Sequence, residues 1–361
     1  MNESRIVRVT GAMQAKGIDM LLVSDPVVIY YLTGSSLNSG ERMMALLISS
    51  DGECKMVMND LFVSQRPENL DTVFYNDIDD SVLVLSSLLP QGITLGIDKN
   101  WPAHFLLSLQ EKMPGIRFVN SSCVIDKVRI VKDADEQEKM ICSSRLNDEV
   151  MSRLIPRLHV GQTERELATI VKELYAEVGC EGISFQPICS FAKNAADPHH
   201  GPDDTVGREG DCLVIDIGGM KDGYASDMTR TVFLGRVSER QREIYEIVLE
   251  ANRRGRQAAR PGNRMKDVDL AARDYIESKG YGHYFTHRTG HSIGLEDHEW
   301  GDVSSVNDAV IRPGQCFSVE PGIYLPDEGI GVRIEDLVLI TQDGCKVLNS
   351  YPRELTVISG K

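Results

Sequence analysis

The sequence predicts a mixed α/β chain of two domains, and three observations carry that expectation. Short apolar runs bounded by turn residues alternate with helical spacing through the first third. Capped amphipathic helices interleave with strand-like runs through the remainder. A charged stretch from Asp126 to Asp133 separates the two. At 361 residues each part can bury a core of its own. The expected division is 1–126 and 127–361.

In chain order, residues 6–16 carry helical spacing that Gly17 ends, and Met20–Val23 follows as a buried strand. Residues 45–48, 55–58, 73–75 and Thr94–Ile97 read as further strands. This first part gathers no His, Asp or Glu at ligand spacing, so it reads as a supporting domain. Past Lys127 the spacing predicts a long helix over 134–155. Thr163 with Glu166, and Ser238 with Gln241, are capping boxes that open two more helices. Their stripes, Leu167, Ile170, Val171 and Leu174 in one and Ile244, Ile247, Val248 and Ala251 in the other, are core-facing. Strands are expected at Cys212–Ile217, 229–234, 316–320 and 332–340.

Composition narrows the function classes. Hydrophobic content of 42% and charged content of 26% are globular values. The formal net charge of −15 argues against a nucleic-acid partner, which needs clustered Lys and Arg. The longest apolar stretch, 81–89, falls far short of the roughly 20 residues of a membrane span. Residues 1–11 alternate polar and apolar types and hold no signal-peptide core. Eight cysteines without a CxxC pair read as reduced thiols, and a cytoplasmic location is expected.

The chemistry gathers in two hairpins. In the first, Asp222-Gly223 supplies a tight turn between Asp216 and Asp227. Carboxylates on adjacent strands, with Cβ atoms roughly 4.5–5.5 Å apart, repel unless a proton or cation sits between them. Asp216 follows a buried-looking apolar run, so a divalent metal is the economical solution. In the second hairpin, period-2 alternation puts Glu320 and Glu335 on the polar side of otherwise apolar strands. Between the hairpins lie His287, His291 and His298, with Gly290 and Gly294 allowing close backbone approach. Four carboxylates and an imidazole, without thiolate, suit two divalent ions; Mn(II) is favoured, with Co(II) or Zn(II) as alternatives.

These motifs resemble the pita-bread metallopeptidases, and within them the Xaa-Pro aminopeptidase and prolidase branch. The resemblance runs from about Lys127 onward, and the first part is similar to the creatinase/prolidase N-terminal domain in size and position. It implies a catalytic domain built on a curved antiparallel sheet covered by helices, working as a homodimer on short proline-containing peptides. It further implies that Asp216 chelates one metal, that Asp227 and Glu335 bridge both, and that His291 and Glu320 bind the second. His199, beside the unusual neighbour His200, matches the upstream active-site histidine, and His287 and His298 match the two that flank the metal ligand. Glu320 is the expected proton carrier, His199 and His298 the expected donors to substrate, and Arg333 the expected orienter of Glu335.

One departure from the branch bears on substrate length. Strict dipeptidases of this kind commonly carry an Arg shortly after the last histidine, whereas Asp302 stands near that place here. An acid there would repel a free carboxylate, so aminopeptidase activity is expected over dipeptidase activity. Hydrolysis of another small amide and a catalytically silent interaction scaffold are the rival readings. The intact ligand set speaks against the scaffold.

Overall fold

The computed structural model describes residues 1–359, which separate into two compact units, Met1–Arg129 and the chain from Ile130 onward. The first is a six-stranded sheet in the spatial order Asp71–Tyr75, Cys54–Asn59, Ala45–Ser49, Met20–Val23, Thr94–Ile97, Arg117–Asn120. The three central strands from Cys54–Asn59 to Met20–Val23 pair antiparallel, and the outer neighbours join in parallel. Helix Glu3–Gln14 begins where the Asn2 side chain accepts from the Arg5 N–H, and Gly17 follows it at φ +63°, a left-handed conformation natural to glycine. The core closes on Leu22, Leu47, Val57 and Leu95. Strand Arg117–Asn120 escaped the sequence reading because, at the sheet edge, none of its residues is fully buried and its apolar signal is weak.

The second unit packs four long helices on strands that pair antiparallel except for Met228–Leu234 with Thr356–Ile358. Helices Ala134–Leu154, Glu164–Glu177 and Glu239–Ala258 each start with a complete capping box, on Asp133, Thr163 and Ser238 respectively. Leu167, Val171 and Leu174 bury against Leu213, Ile215 and Ile217. Ile244, Val248 and Ala251 bury with Val332 and Ile334. The stripes are core faces, as their spacing predicts. One sheet runs Thr356–Ile358, Met228–Leu234, Cys212–Ile217, Ile188–Phe191, and another Glu299–Val303, Gly290–Ser292, Cys316–Val319, Asp336–Ile340, Cys345–Val347.

Both hairpins are broken, and the breaks matter. The first turns at Asp222 (φ +51°) and Gly223 (φ +76°), the two positive values a type I′ hairpin loop requires. Its strands are interrupted between Ile217 and Gly219 and between Ala225 and Met228. The second hairpin divides likewise: Cys316–Val319 pairs with Asp336–Ile340, whereas Gly322–Leu325 pairs with Ile330–Arg333. The continuous strand expected over 332–340 is therefore two strands with Ile334 and Glu335 between them, and the strand expected to end at 320 ends at Val319.

A strand break frees backbone groups that must find other partners when buried. Three buried asparagines supply them. Asn147 Nδ2 donates to the Ile217 carbonyl at 3.0 Å, and Asn349 Nδ2 to that of Asp227 at 3.1 Å. Asn252 Nδ2 serves both Val319 (2.9 Å) and Ile334 (3.2 Å). Each break is thereby stabilised at, or one residue away from, the residue that presents a carboxylate.

Candidate metal centre

Asp216 opposes Thr229, not Asp227, in the strand register. The two acids are diagonal neighbours across the break, yet one oxygen of each lies within 4.8 Å of the other and of Glu335. Glu320 and Glu335 occupy the second break, one just past Val319 and the other just before Asp336, whose Cα atoms pair. Ligand atoms of His291, Glu320 and Glu335 form a second group within the same 4.8 Å limit. All five residues expected to hold metal thus converge. They line a cavity of about 610 Å³ that also takes in His199, His287, His298 and Arg333.

The local sequence explains the close packing. A Cβ on Gly290 would stand 1.9 Å from the Ser318 carbonyl oxygen, so only glycine lets strand Gly290–Ser292 lie this close. Ser318 uses the proximity: its Oγ accepts from the His291 N–H at 3.0 Å and donates to Glu320 Oε1 at 3.1 Å. The His291 Nδ1 faces the Ser292 carbonyl at 3.3 Å. This leaves Nε2 pointing inward, 3.5 Å from both Asp227 Oδ2 and Glu320 Oε1.

Electrostatics mark the centre as incomplete. Burial pushes Asp227 well above the usual carboxylate range, with Glu335, Asp297 and Asp216 adding to the effect. Burial does the same to Glu335, with Glu320 and Asp216 next. Glu320 goes the other way: burial opposes its charge, but His291, His287 and Arg333 together hold it low. Asp216 Oδ1, Asp227 Oδ1 and Glu335 Oε1 are buried oxygens with no protein partner. Asp227 and Glu335 are only 4% and 1% exposed, so their charge is costly unless a cation or a proton meets it. Carboxylate oxygens and one imidazole nitrogen, inward-facing and unpartnered, are the donor set two hard divalent cations require.

Arg333 differs from its expected role. Its Nη2 donates to Asp216 Oδ2 at 2.6 Å, its Nε to Thr229 Oγ1 at 3.0 Å, and its Nη1 to the Tyr324 hydroxyl and the Pro198 carbonyl. It orients Asp216 directly and reaches Glu335 only through Thr229, whose Oγ1 donates to Glu335 Oε2 at 2.8 Å. A buried guanidinium beside a buried carboxylate relieves both desolvation costs.

The histidines divide by partner. His199 is exposed on the cavity wall, whereas His200 Nε2 is engaged by Glu164 Oε2 at 3.1 Å. His287 lies between the Arg288 carbonyl (2.7 Å, Nδ1) and the Tyr324 hydroxyl (2.8 Å, Nε2), and burial lowers its pKa. His298 stacks at 3.9 Å on His291; burial first, then His291 and Arg288, push it down to about 4. Sequence reading missed the supports beneath. Asp269 accepts from the Thr289 N–H and hydroxyl, and Arg273 donates to the carbonyls of Phe285 and His287. Asp302, which carried the argument on substrate length, does not line the cavity; its Oδ1 accepts from Asn307 Nδ2 at 2.8 Å.

A broken-hairpin sheet, helices packed over it and a carboxylate-histidine centre define a metal-dependent hydrolase of the pita-bread class. Metallopeptidase family M24 matches residues 138–342, and the creatinase/prolidase N-terminal domain matches residues 5–131. The chain belongs to this metallopeptidase family. It is 35% identical over 355 residues to a Xaa-Pro dipeptidase of Pyrococcus furiosus, covering 98% of this chain and 99% of that one. A dipeptidase structure from Pyrococcus horikoshii superposes with a TM-score of 0.93 at 34% identity, over 98% of this chain and 99% of the other. A prolidase structure from Thermococcus sibiricus gives 0.93 at 33% identity, over 99% of each.

Proposed function

We propose that this protein is a Xaa-Pro dipeptidase that works with two divalent cations, Mn(II) foremost, held by Asp216, Asp227, His291, Glu320 and Glu335. The convergence of four carboxylates and His291 in two overlapping groups, with a buried oxygen of Asp216, Asp227 and Glu335 left without a protein partner, carries the metal reading. The dipeptidase reading draws on relatives of that name that match nearly the whole chain. It displaces the aminopeptidase expectation, because Asp302 is turned away and does not stand against a substrate carboxylate. Arg288 lines the cavity instead, donating to His298 Nδ1 at 3.2 Å, and is a cation able to meet that carboxylate.

When bound, the cations would lower the pKa of a coordinated water and polarise the scissile carbonyl. The chain supplies the rest. Glu320, held ionised by His291, His287 and Arg333, accepts a proton at its carboxylate and returns it to the departing proline nitrogen. His298 stays neutral at working pH, so with Nδ1 receiving from Arg288 its Nε2 carries the hydrogen and can donate to the substrate. His199, exposed to the cavity, is the second donor. A Xaa-Pro bond has no amide N–H to offer, and the pocket answers with Phe185, Ile188 and histidine edges around the ring.

The test is hydrolysis of Ala-Pro, Ala-Pro-Ala and longer peptides by metal-free protein reloaded with Mn(II). Cleavage confined to the dipeptide supports the reading. Equal or faster cleavage of the tripeptide returns it to the aminopeptidase, and activity indifferent to chelator removes it altogether. The proposal extends to a cytoplasmic homodimer, in keeping with eight free thiols; light scattering of the purified protein checks the assembly.

A further inference from the structure

We infer that Asp297, which lies outside the five-residue ligand set, is a sixth protein ligand of the centre, facing the cation on the His291 side. The inference rests on the two-cation reading and extends it. One carboxylate oxygen of Asp297 lies within 4.8 Å of both His291 and Asp227 ligand atoms. Donors at 2.0–2.2 Å from one ion can stand no more than about 4.4 Å apart, so a shift of a few tenths of an ångström closes the shell.

The carboxylate is presented by a built loop. Glu299 Oε1 accepts from the Leu295 N–H at 3.0 Å, the Gly294 N–H donates to the Glu296 carbonyl at 3.0 Å, and Lys132 pairs with Glu299 beneath at 2.8 Å. Asp297 lines the cavity, and its Oδ1 is a buried oxygen without a protein partner. The neighbouring buried guanidinium of Arg333 is committed to Asp216. Asp227 Oδ1 and Glu335 Oε1, both deeply buried and without a protein partner, are cation acceptors on this side of the centre independently of Asp297.

Two divalent cations balance five carboxylates and one guanidinium, so the additional acid fits the charge of the loaded centre. A further hard oxygen donor also biases the His291-side position toward Mn(II) and away from the softer demands of Zn(II). The competing role is confined to His298, whose Nε2 stands 3.4 Å from Asp297 Oδ2. In that case the side chain only orients the ring.

Titration of metal-free protein with Mn(II), following free ion by electron paramagnetic resonance, separates the two. The wild type is expected to bind two ions. D297N keeps an oxygen that can accept from His298 but loses the charge, and D297A loses both. Each should weaken one of the two ions by about 10- to 100-fold, leave the other in place, and move competition between Mn(II) and Zn(II) toward Zn(II). Neither variant should lower the melting temperature of the metal-free protein, because a repulsive charge is removed. Two ions bound with unaltered affinity by both variants overturns the role of Asp297 alone. A wild type that binds fewer than two ions overturns the two-cation reading with it.

Discussion

Arg333 and Asp216 meet at 2.6 Å in a site where the guanidinium is 4% and the carboxylate 12% exposed. The contact sets which Asp216 oxygen is spent on protein, Oδ2, and which is left for a ligand, Oδ1. A planar fork with four acceptors at fixed angles cannot be imitated by an ammonium. Both R333K and R333M are therefore expected to weaken Mn(II) binding by about 10- to 100-fold. Wild-type affinity in R333K would show that charge alone suffices.

Asn252 ties the two strand ends that carry Glu320 and Glu335. Asn252→Ala leaves two buried carbonyls without this donor, at about 1–3 kcal/mol each for an unmet buried group. Urea denaturation of the metal-free protein should register that loss, and Mn(II) affinity should fall with it because the two glutamates are no longer held in register. A variant as stable as the wild type would mean that water replaces the amide.

How far the site was legible follows from the range of the forces involved. The Asp222-Gly223 turn and the alternation around Glu320 are local, so the four hairpin acids could be read directly. The breaks that aim them depend on Asn147, Asn252 and Asn349, each far away in sequence from the carbonyl it serves, and no periodicity announces them. Asp302 misled because sequence proximity to His298 says nothing of direction; its carboxylate turns to Asn307. Asp297 was passed over for the opposite reason, since beside an exposed histidine it looks like a solvated acid. Helix Met265–Ser278 lacks a Ser, Thr, Asn or Asp at its N-cap, where Arg264 stands and Asp267 reaches back to the backbone instead.

Lys132 and Glu299 form an ion pair at 2.8 Å with side chains 1% and 5% exposed. Removing one partner of such a buried pair is strongly destabilising, whereas replacing both is often neutral or better. Lys132→Met is expected to cost about 3–5 kcal/mol, and K132M combined with E299L to recover most of it. Chemical denaturation of the three proteins checks this. The double variant should still lose Mn(II) affinity, because Glu299 also fixes the Leu295 N–H of the loop that presents Asp297. Additive losses in stability would rule out the pairing as the cause.

The raised carboxyls give the metal-free and loaded proteins opposite responses to pH. Asp297 sits at about 6 in the folded chain against an ordinary 3.8, and burial holds Asp227 and Glu335 above the usual range as well. A carboxyl raised on folding stabilises the fold below its unfolded pKa, and that stability is lost as pH rises through the folded one. The metal-free protein should therefore weaken from about pH 4 to beyond about pH 6. Mn(II) binding demands the deprotonated ligands and so strengthens over the same range. At a hundredfold excess over Kd it contributes about 2.7 kcal/mol per site. The melting-temperature gap between loaded and metal-free protein should widen steadily from about pH 5.5 to about pH 8. A gap that stays constant would show that these acids are already ionised without metal, and that the buried repulsion is relieved by something other than a cation.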